Sequence, residues 1–515
     1  MRRLQTQLQT EGIAMMNIRV QQGQIQKQRG SALVVNLFQG ARPAGATKAV
    51  DEALGGLIGE AIESGDFTGK KNELLLLYPG KSRRGFAVRR VLVVGLGKQA
   101  EFGVEVARQA AGTAARRLQE LGVEDAFTVL HGSGAGGLEV ETAAQALAEA
   151  SILACYRFDQ YRSGKVERTA LKTLAVVELD AGRLAALRRG LRQGAEIARA
   201  TCLARDLGNQ PGNVATPSYL AGVARRIARR HALRCQIIDE RGMKKLGMGA
   251  LLGVAHGSAQ APRFIVLEHN RKAGGRPLVF VGKGVTFDSG GISLKPGDKM
   301  EDMKFDMSGA AAVLGAMQAV ASLKVPRYIV GLVAATENLP DGRAFKPGDI
   351  LRTISGKTIE IVNTDAEGRL ILADALGYAR RLKPAAVIDL ATLTGACVVA
   401  LGAHASGMFT NSEDLATKVR QAGEATSERV WPLPLWEEHR EQIRSDYADM
   451  KNSGGRPAGA STGAALLAEF AADYPWVHLD IAGTAWTSQT RPYITKGSVG
   501  LGVRLLVHLA RTWKK

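Results

Sequence analysis

From about residue 31, short apolar runs alternate with longer stretches in which alanine and leucine recur at helical spacing. Leu33–Phe38, Leu74–Tyr78, Val91–Gly95, Phe127–Leu130 and Leu174–Val177 predict buried strands, because an unbroken apolar run bounded by turn residues suits a strand covered on both faces. Phe102–Leu121 and Glu141–Tyr156 predict helices. Such alternation implies a mostly parallel α/β sheet. A basic amphipathic segment from Asp180 to Leu207 then predicts a connecting helix, and the turn cluster Gly208-Asn-Gln-Pro-Gly-Asn213 opens a second unit. There, strands are expected at Phe264–Glu268, Leu278–Gly282, Tyr328–Ala335, Ile359–Val362, Ala386–Leu390 and Val477–Ile481. Helices are expected at Gly309–Ala321, Gly368–Arg381, Asp414–Ala425 and Ala464–Ala472. The pattern divides the chain into a leader (1–16), a smaller α/β domain (17–179), the connecting helix (180–207) and a larger α/β domain (208–515).

Length agrees with this division, since 515 residues exceed one ordinary domain. No run approaches the ~18 apolar residues of a membrane span. The four cysteines are dispersed with no C-x-x-C, which excludes a disulfide framework and a thiolate zinc site. The start, MRRLQTQLQTEGIAMM, has no apolar core of a secretion signal. It reads as a polar leader, or as a start placed ahead of Met15 or Met16, and a cytoplasmic protein is expected.

The net charge of +19 is spread along the chain, with clusters at Lys81, Arg83, Arg84, Arg89 and Arg90, at Arg188, Arg189 and Arg192, and at Arg225, Arg226, Arg229, Arg230 and His231. A basic DNA-binding architectural protein is therefore the alternative to weigh. No Cys/His finger or aromatic–glycine RNA-binding signature accompanies the charge, and a solvated basic surface is the preferred account of it.

Two motifs invite other chemistry. Gly132, Gly134 and Gly137 match G-x-G-x-x-G after a strand, with Asp159 following, as in a dinucleotide fingerprint. The loop opens no first βαβ unit, however, and the segment before Asp159 reads as helix, so an ordinary βα turn is expected. Asp288-Ser289-Gly290-Gly291 resembles the surroundings of a nucleophilic serine, which would need a base in reach.

A different reading absorbs that segment. Carboxylates and lysines concentrate in three places: Val281-Gly-Lys283-Gly-Val-Thr-Phe-Asp288 through Lys295-Pro296, Met300 to Gly309 around Asp306, and Ile361-Val-Asn363-Thr-Asp365-Ala-Glu367-Gly-Arg369-Leu370. The first and third follow apolar strands, so their charges should emerge at strand ends, where ligand crevices of open α/β sheets lie. Asp365 and Glu367, two apart, would point the same way on an extended backbone. Converging carboxylates repel one another unless cations sit among them. Oxygen donors without cysteine favour a hard or borderline divalent ion such as Mn²⁺, Mg²⁺ or Zn²⁺.

Asn363-Thr-Asp-Ala-Glu-Gly-Arg-Leu370 resembles the signature octapeptide of the leucyl aminopeptidases, the M17 or cytosol aminopeptidase family. The likeness extends through Gly282–Pro296, Asp389-Leu-Ala-Thr-Leu-Thr-Gly-Ala396 and Asp480-Ile-Ala-Gly-Thr-Ala-Trp486. It is close over residues 200–505 and weaker before them. It implies a smaller macro-like N-terminal domain and a larger catalytic domain with a mixed central sheet flanked by helices. It implies removal of N-terminal residues, leucine preferred, from peptides. Two divalent ions, Mn²⁺ or Zn²⁺, would be held by Lys283, Asp288, Asp306, Asp365 and Glu367. Lys295 would stabilise the oxyanion, and Arg369 would hold a bicarbonate ion as general base. Met303, Thr392 and Gly395 would line the pocket for the first side chain. The resemblance further implies a homohexamer of two stacked trimers, and some bacterial members also bind DNA.

Overall fold

The computed structural model describes residues 16–80, 86–164 and 170–513. The expected leader, apart from Met16, and Lys81, Arg83 and Arg84 of the first basic cluster lie outside the described residues. The chain divides into two compact units: residues 1–199 with 490–495, and residues 200–489 with 496–515.

The first unit is built on strands β1 (Asn17–Gln22), β2 (Ala32–Leu37), β3 (Leu74–Leu77), β4 (Val91–Gly95), β5 (Asp125–Thr128) and β6 (Thr173–Glu178). Their order is β1-β6-β5-β2-β4-β3, and only the edge strand β3 runs antiparallel to its neighbour. The core beside the sheet gathers Leu33, Val35, Val50, Ile58, Phe67, Val91 and Val93. The glycine loop leads from β5 to the helix Val140–Ala154, and the chain re-enters the sheet only at β6. Its glycines serve packing: a Cβ on Gly132 would stand 2.1 Å from the ring of Phe102. Asp159 lies in irregular chain and pairs with Arg157 at 3.6 Å. The loop is a βα turn, not a dinucleotide fingerprint.

The expected connecting helix begins with a short 3₁₀ turn, Ala181–Arg183, and continues as a helix over Leu184–Asn209, within which the division between the units falls.

The second unit contains an eight-stranded mixed sheet. Its strands are β7 (Arg234–Ile238), β8 (Arg263–His269), β9 (Leu278–Asp288), β10 (Ile329–Asn338), β11 (Ala386–Ala391), β12 (Ser406–Thr410), β13 (Val430–Pro432) and β14 (Trp476–Asp480). They lie in the order β13-β12-β14-β11-β9-β10-β8-β7. The central four, β14-β11-β9-β10, are parallel, so their carboxyl ends share one edge. β8 and β12 flank them antiparallel. Central strands of this kind read as continuous apolar runs because helices cover both faces, and every residue of β10 and β11 is buried.

At its first turn, helix Ser308–Ser322 meets this sheet with no side chain between. A Cβ on Gly309 would stand 2.0 Å from the Leu390 carbonyl oxygen, and one on Gly282 2.5 Å from that of Gly309. Backbone therefore meets backbone where β9, β11 and the helix converge. Among the described residues no helix is long and apolar enough to cross a membrane.

Candidate metal centre

The site forms at the carboxyl end of the central parallel strands. β9 carries Lys283 within it and Asp288 at its end. Lys283 is thus not at a strand end, as the apolar run had suggested. Pairing with β11 stops at Gly282, but Lys283, Gly284 and Val285 go on pairing with Ala334, Ala335 and Thr336 of β10, and a register shift follows before Asp288. The strand's second neighbour keeps it extended after its first has turned away.

Asp306 is the last residue but one of the 3₁₀ segment Met300–Met307, which runs directly into helix Ser308–Ser322. Glu367 is the first residue of helix Glu367–Arg380, where a carboxylate also complements the positive end of the helix. Asp365 sits in the preceding turn, so the extended backbone expected from Asp365 to Glu367 is absent. The convergence is present nonetheless: Asp288, Asp365 and Glu367 each offer an oxygen, all within 4.8 Å of one another.

Two lysines lie among these acids. Lys283 Nζ donates to Asp306 Oδ1 and Glu367 Oε1, each at 2.8 Å, and to the Thr392 carbonyl at 2.9 Å. Lys295 Nζ lies 2.9 Å from Asp288 Oδ2 and also pairs with Asp365 Oδ1. Their accessibility differs: the Lys283 side chain is 3% exposed, that of Lys295 22%. A Cβ on Gly368 would come within 2.8 Å of Lys283 Nζ, so glycine after Glu367 makes room for this amine.

Burial opposes the charge on Lys283, but Asp306, Glu367 and Asp288 outweigh it and hold the ammonium well above the ordinary lysine range. Lys295 is raised in the same way, burial being overcome by Asp288, Glu367 and Asp365. Burial raises Asp306, opposed by Lys283 and reinforced by Glu367 and Asp288. Burial and the Asp288 charge raise Glu367 and Asp365. Four carboxylates thus compete for two cations. Buried Asp306 Oδ2 and Glu367 Oε2 have no hydrogen-bond partner among the described residues, and such acceptors are rare unless something else binds them. Carboxylate oxygens with no imidazole or thiolate suit hard or borderline dications, and this donor set fits them.

Arg369 is buried on the same helix as Glu367. Its Nη1 donates to the Asn452 carbonyl at 2.7 Å and its Nη2 to that of Gly459 at 3.4 Å. It forms no ion pair among the described residues; burial lowers its pKa, with Glu367 and Asp480 opposing. A buried guanidinium held only by carbonyls is a natural seat for a small anion.

Thr392 joins the cluster through its hydroxyl, which donates to Asp306 Oδ1 at 2.7 Å. Met303 is half-buried in the 3₁₀ segment that ends near Asp306, and Gly395 is exposed at the start of helix Gly395–Leu401. Ser289 is no nucleophile: its hydroxyl donates to the Asn338 carbonyl at 2.8 Å.

Asn338 and Asn452 escaped the sequence reading, and Asp480 was named there only as the head of a family-like segment, with no role given. Asn338 Nδ2 donates to Asp288 Oδ1 at 2.9 Å and to the Thr364 carbonyl at 3.0 Å, tying β9 to the octapeptide loop. Asn452 Oδ1 accepts from Val362 N and Asn363 N while its Nδ2 donates to the Asn363 carbonyl. Asp480 holds the segment after β11. A buried amide or acid at the end of an apolar run was the signal available.

The second α/β unit thus carries a cluster of acids able to hold a metal ion at the carboxyl ends of its parallel strands. Residues 202–507 match the Cytosol aminopeptidase family, catalytic domain, and residues 34–165 its N-terminal domain. The chain belongs to the cytosol aminopeptidase family. It is 48% identical over 480 residues to a "Probable cytosol aminopeptidase" of Syntrophotalea carbinolica, covering 93% of this chain and 96% of that protein. It is 50% identical over 471 residues to one of Geotalea uraniireducens, covering 90% and 93%. Among solved structures, a mutant of tomato leucine aminopeptidase superposes with a TM-score of 0.86 at 33% identity, covering 98% of each chain. The bottromycin maturation enzyme BotP in complex with Mn superposes with a TM-score of 0.82 at 34% identity, covering 94% of this chain and 99% of that one.

Proposed function

We propose that this protein is a metal-dependent aminopeptidase that removes the first residue, leucine preferred, from peptides. One observation carries the reading: four carboxylates converge on two lysines and still leave buried oxygens without partners among the described residues. Lys283, Asp288, Asp306, Asp365 and Glu367 would hold two divalent ions, Mn²⁺ or Zn²⁺. When bound, such ions supply Lewis acidity and a water activated near neutral pH.

The chain's own groups do the rest. Lys283, lodged between Asp306 and Glu367, must give up a proton to become a donor. Lys295 is partly exposed and remains an ammonium able to donate a hydrogen bond to the oxygen that gains charge during hydrolysis. Arg369 would hold a bicarbonate ion as the general base. Thr392, Met303 and Gly395 would meet the first side chain, and the acids around Lys283 and Lys295 favour a terminal amine over a blocked end.

The test compares leucine p-nitroanilide with its N-acetylated form. The free amine should be hydrolysed and the acetylated compound left intact; equal rates on both would remove the aminopeptidase reading.

A second activity, DNA binding, is favoured by one helix. In Pro217–His231, Leu220, Val223, Ala224, Ile227 and Ala228 are buried, while Arg225, Arg226, Arg229 and Arg230 are exposed on the other side. Fragment binding should weaken steeply between about 50 and 200 mM salt, because each neutralised phosphate releases counterions. A mobility shift unchanged over that range, or none at low salt, would refute this role.

A further inference from the structure

Asp480 ends β14 and is 1% exposed. Its Oδ1 accepts from Leu393 N and Ala482 N, each at 3.1 Å, and its Oδ2 from Thr394 Oγ1 at 2.6 Å. None of these donors is a cation, and a carboxylate so deeply buried is a poor device for stability alone. β14 pairs with β11 up to the partners Asp480 and Ala391, so Asp480 stands where β11 stops and the chain departs towards helix Gly395–Leu401.

The departing segment reaches the candidate centre. The Thr392 carbonyl accepts from Lys283 Nζ at 2.9 Å, and its hydroxyl donates to Asp306 Oδ1 at 2.7 Å. The next two residues are those that Asp480 grips. Thr394 Oγ1 also accepts from Cys397 N at 3.1 Å, so one hydroxyl both meets Asp480 and caps the helix. We propose that Asp480 is a positioning residue for the peptidase reaction: it fixes residues 393 and 394, and through Thr392 sets Lys283 and Asp306 in register with the other donors. This rests on the aminopeptidase reading. Asp480 is not among the residues proposed to hold the ions or meet the substrate.

Asp480→Asn keeps the shape and one acceptor but cannot take the Thr394 hydroxyl proton as a carboxylate does. In the full chain loaded with Mn²⁺ it should lower kcat by about 10- to 100-fold, the range for one charged hydrogen bond, with KM little changed. Calorimetry should show weaker Mn²⁺ binding, a readout that does not depend on turnover. Thr394→Val should reproduce both effects and Thr394→Ser should reverse them. In a double-mutant cycle, Asp480→Asn and Thr392→Val should cost less together than the product of their separate effects, since both act through one segment. Native kcat and Mn²⁺ affinity in Asp480→Asn, or independent effects in the cycle, would overturn the proposal. Should Asp480→Asn fail to fold, the Thr394 pair is read in the same way. A native chain inactive on leucine p-nitroanilide would sink the aminopeptidase reading, while Mn²⁺ affinity would still decide the role of Asp480.

Discussion

Lys295→Ala should keep its complement of Mn²⁺ and lose about 10²–10³-fold in kcat, the loss that follows removal of one donor to a developing oxyanion. The side chain is not among the proposed ion-holding residues. It lies beside Asp288 and Asp365, and its removal takes a competing cation away from those two carboxylates. Ion binding should therefore persist or tighten while turnover collapses. Substrate affinity should change little, because the interaction is made as charge builds on the carbonyl oxygen. Leucine p-nitroanilide kinetics beside elemental analysis of the same preparation reads both quantities. A variant within about fivefold of the native rate would leave this oxyanion term without its residue.

Exhaustive chelation should abolish hydrolysis and lower the thermal midpoint, and added Mn²⁺ or Zn²⁺ should restore both. Leaving Asp306 Oδ2 and Glu367 Oε2 buried and unsatisfied costs about 1–3 kcal/mol each. A ligand bound only by the folded state contributes about 2.7 kcal/mol at a hundredfold excess over its dissociation constant. Glu367→Gln, which removes one of these charges, should weaken ion retention by itself. Undiminished activity after chelation, or full occupancy in Glu367→Gln, would overturn the assignment.

Much of the fold was legible because its central strands are sealed on both faces. Val91–Gly95 coincides with its strand, and Ala386–Leu390 falls one residue short. Two edge strands were illegible: Asn17–Gln22 and Arg234–Ile238 are rich in polar residues, as a strand with one open edge tolerates, whereas the all-leucine edge strand Leu74–Leu77 was legible. Strand Ser406–Thr410 is buried except at Thr410, but Ser406 and Gly407 break the apolar run that would have announced it. At the centre, charge density within three short segments was visible in one dimension, and the octapeptide tied them to a family. Asn338 and Asn452 were not visible, nor was the role of Asp480, because each acts through contacts with residues 26 to 90 positions away. The position of Lys283 within a strand was hidden for a related reason, since its continuation depends on β10 and not on its own sequence.

The glycine contact between β9, β11 and helix Ser308–Ser322 has a consequence for any attempt to redesign the enzyme. Because peptide groups touch there without intervening side chains, no choice of rotamer can widen or narrow the gap. Directed evolution towards a new peptide preference would therefore find its freedom at the proposed pocket residues Met303 and Gly395, and almost none in the wall behind Lys283.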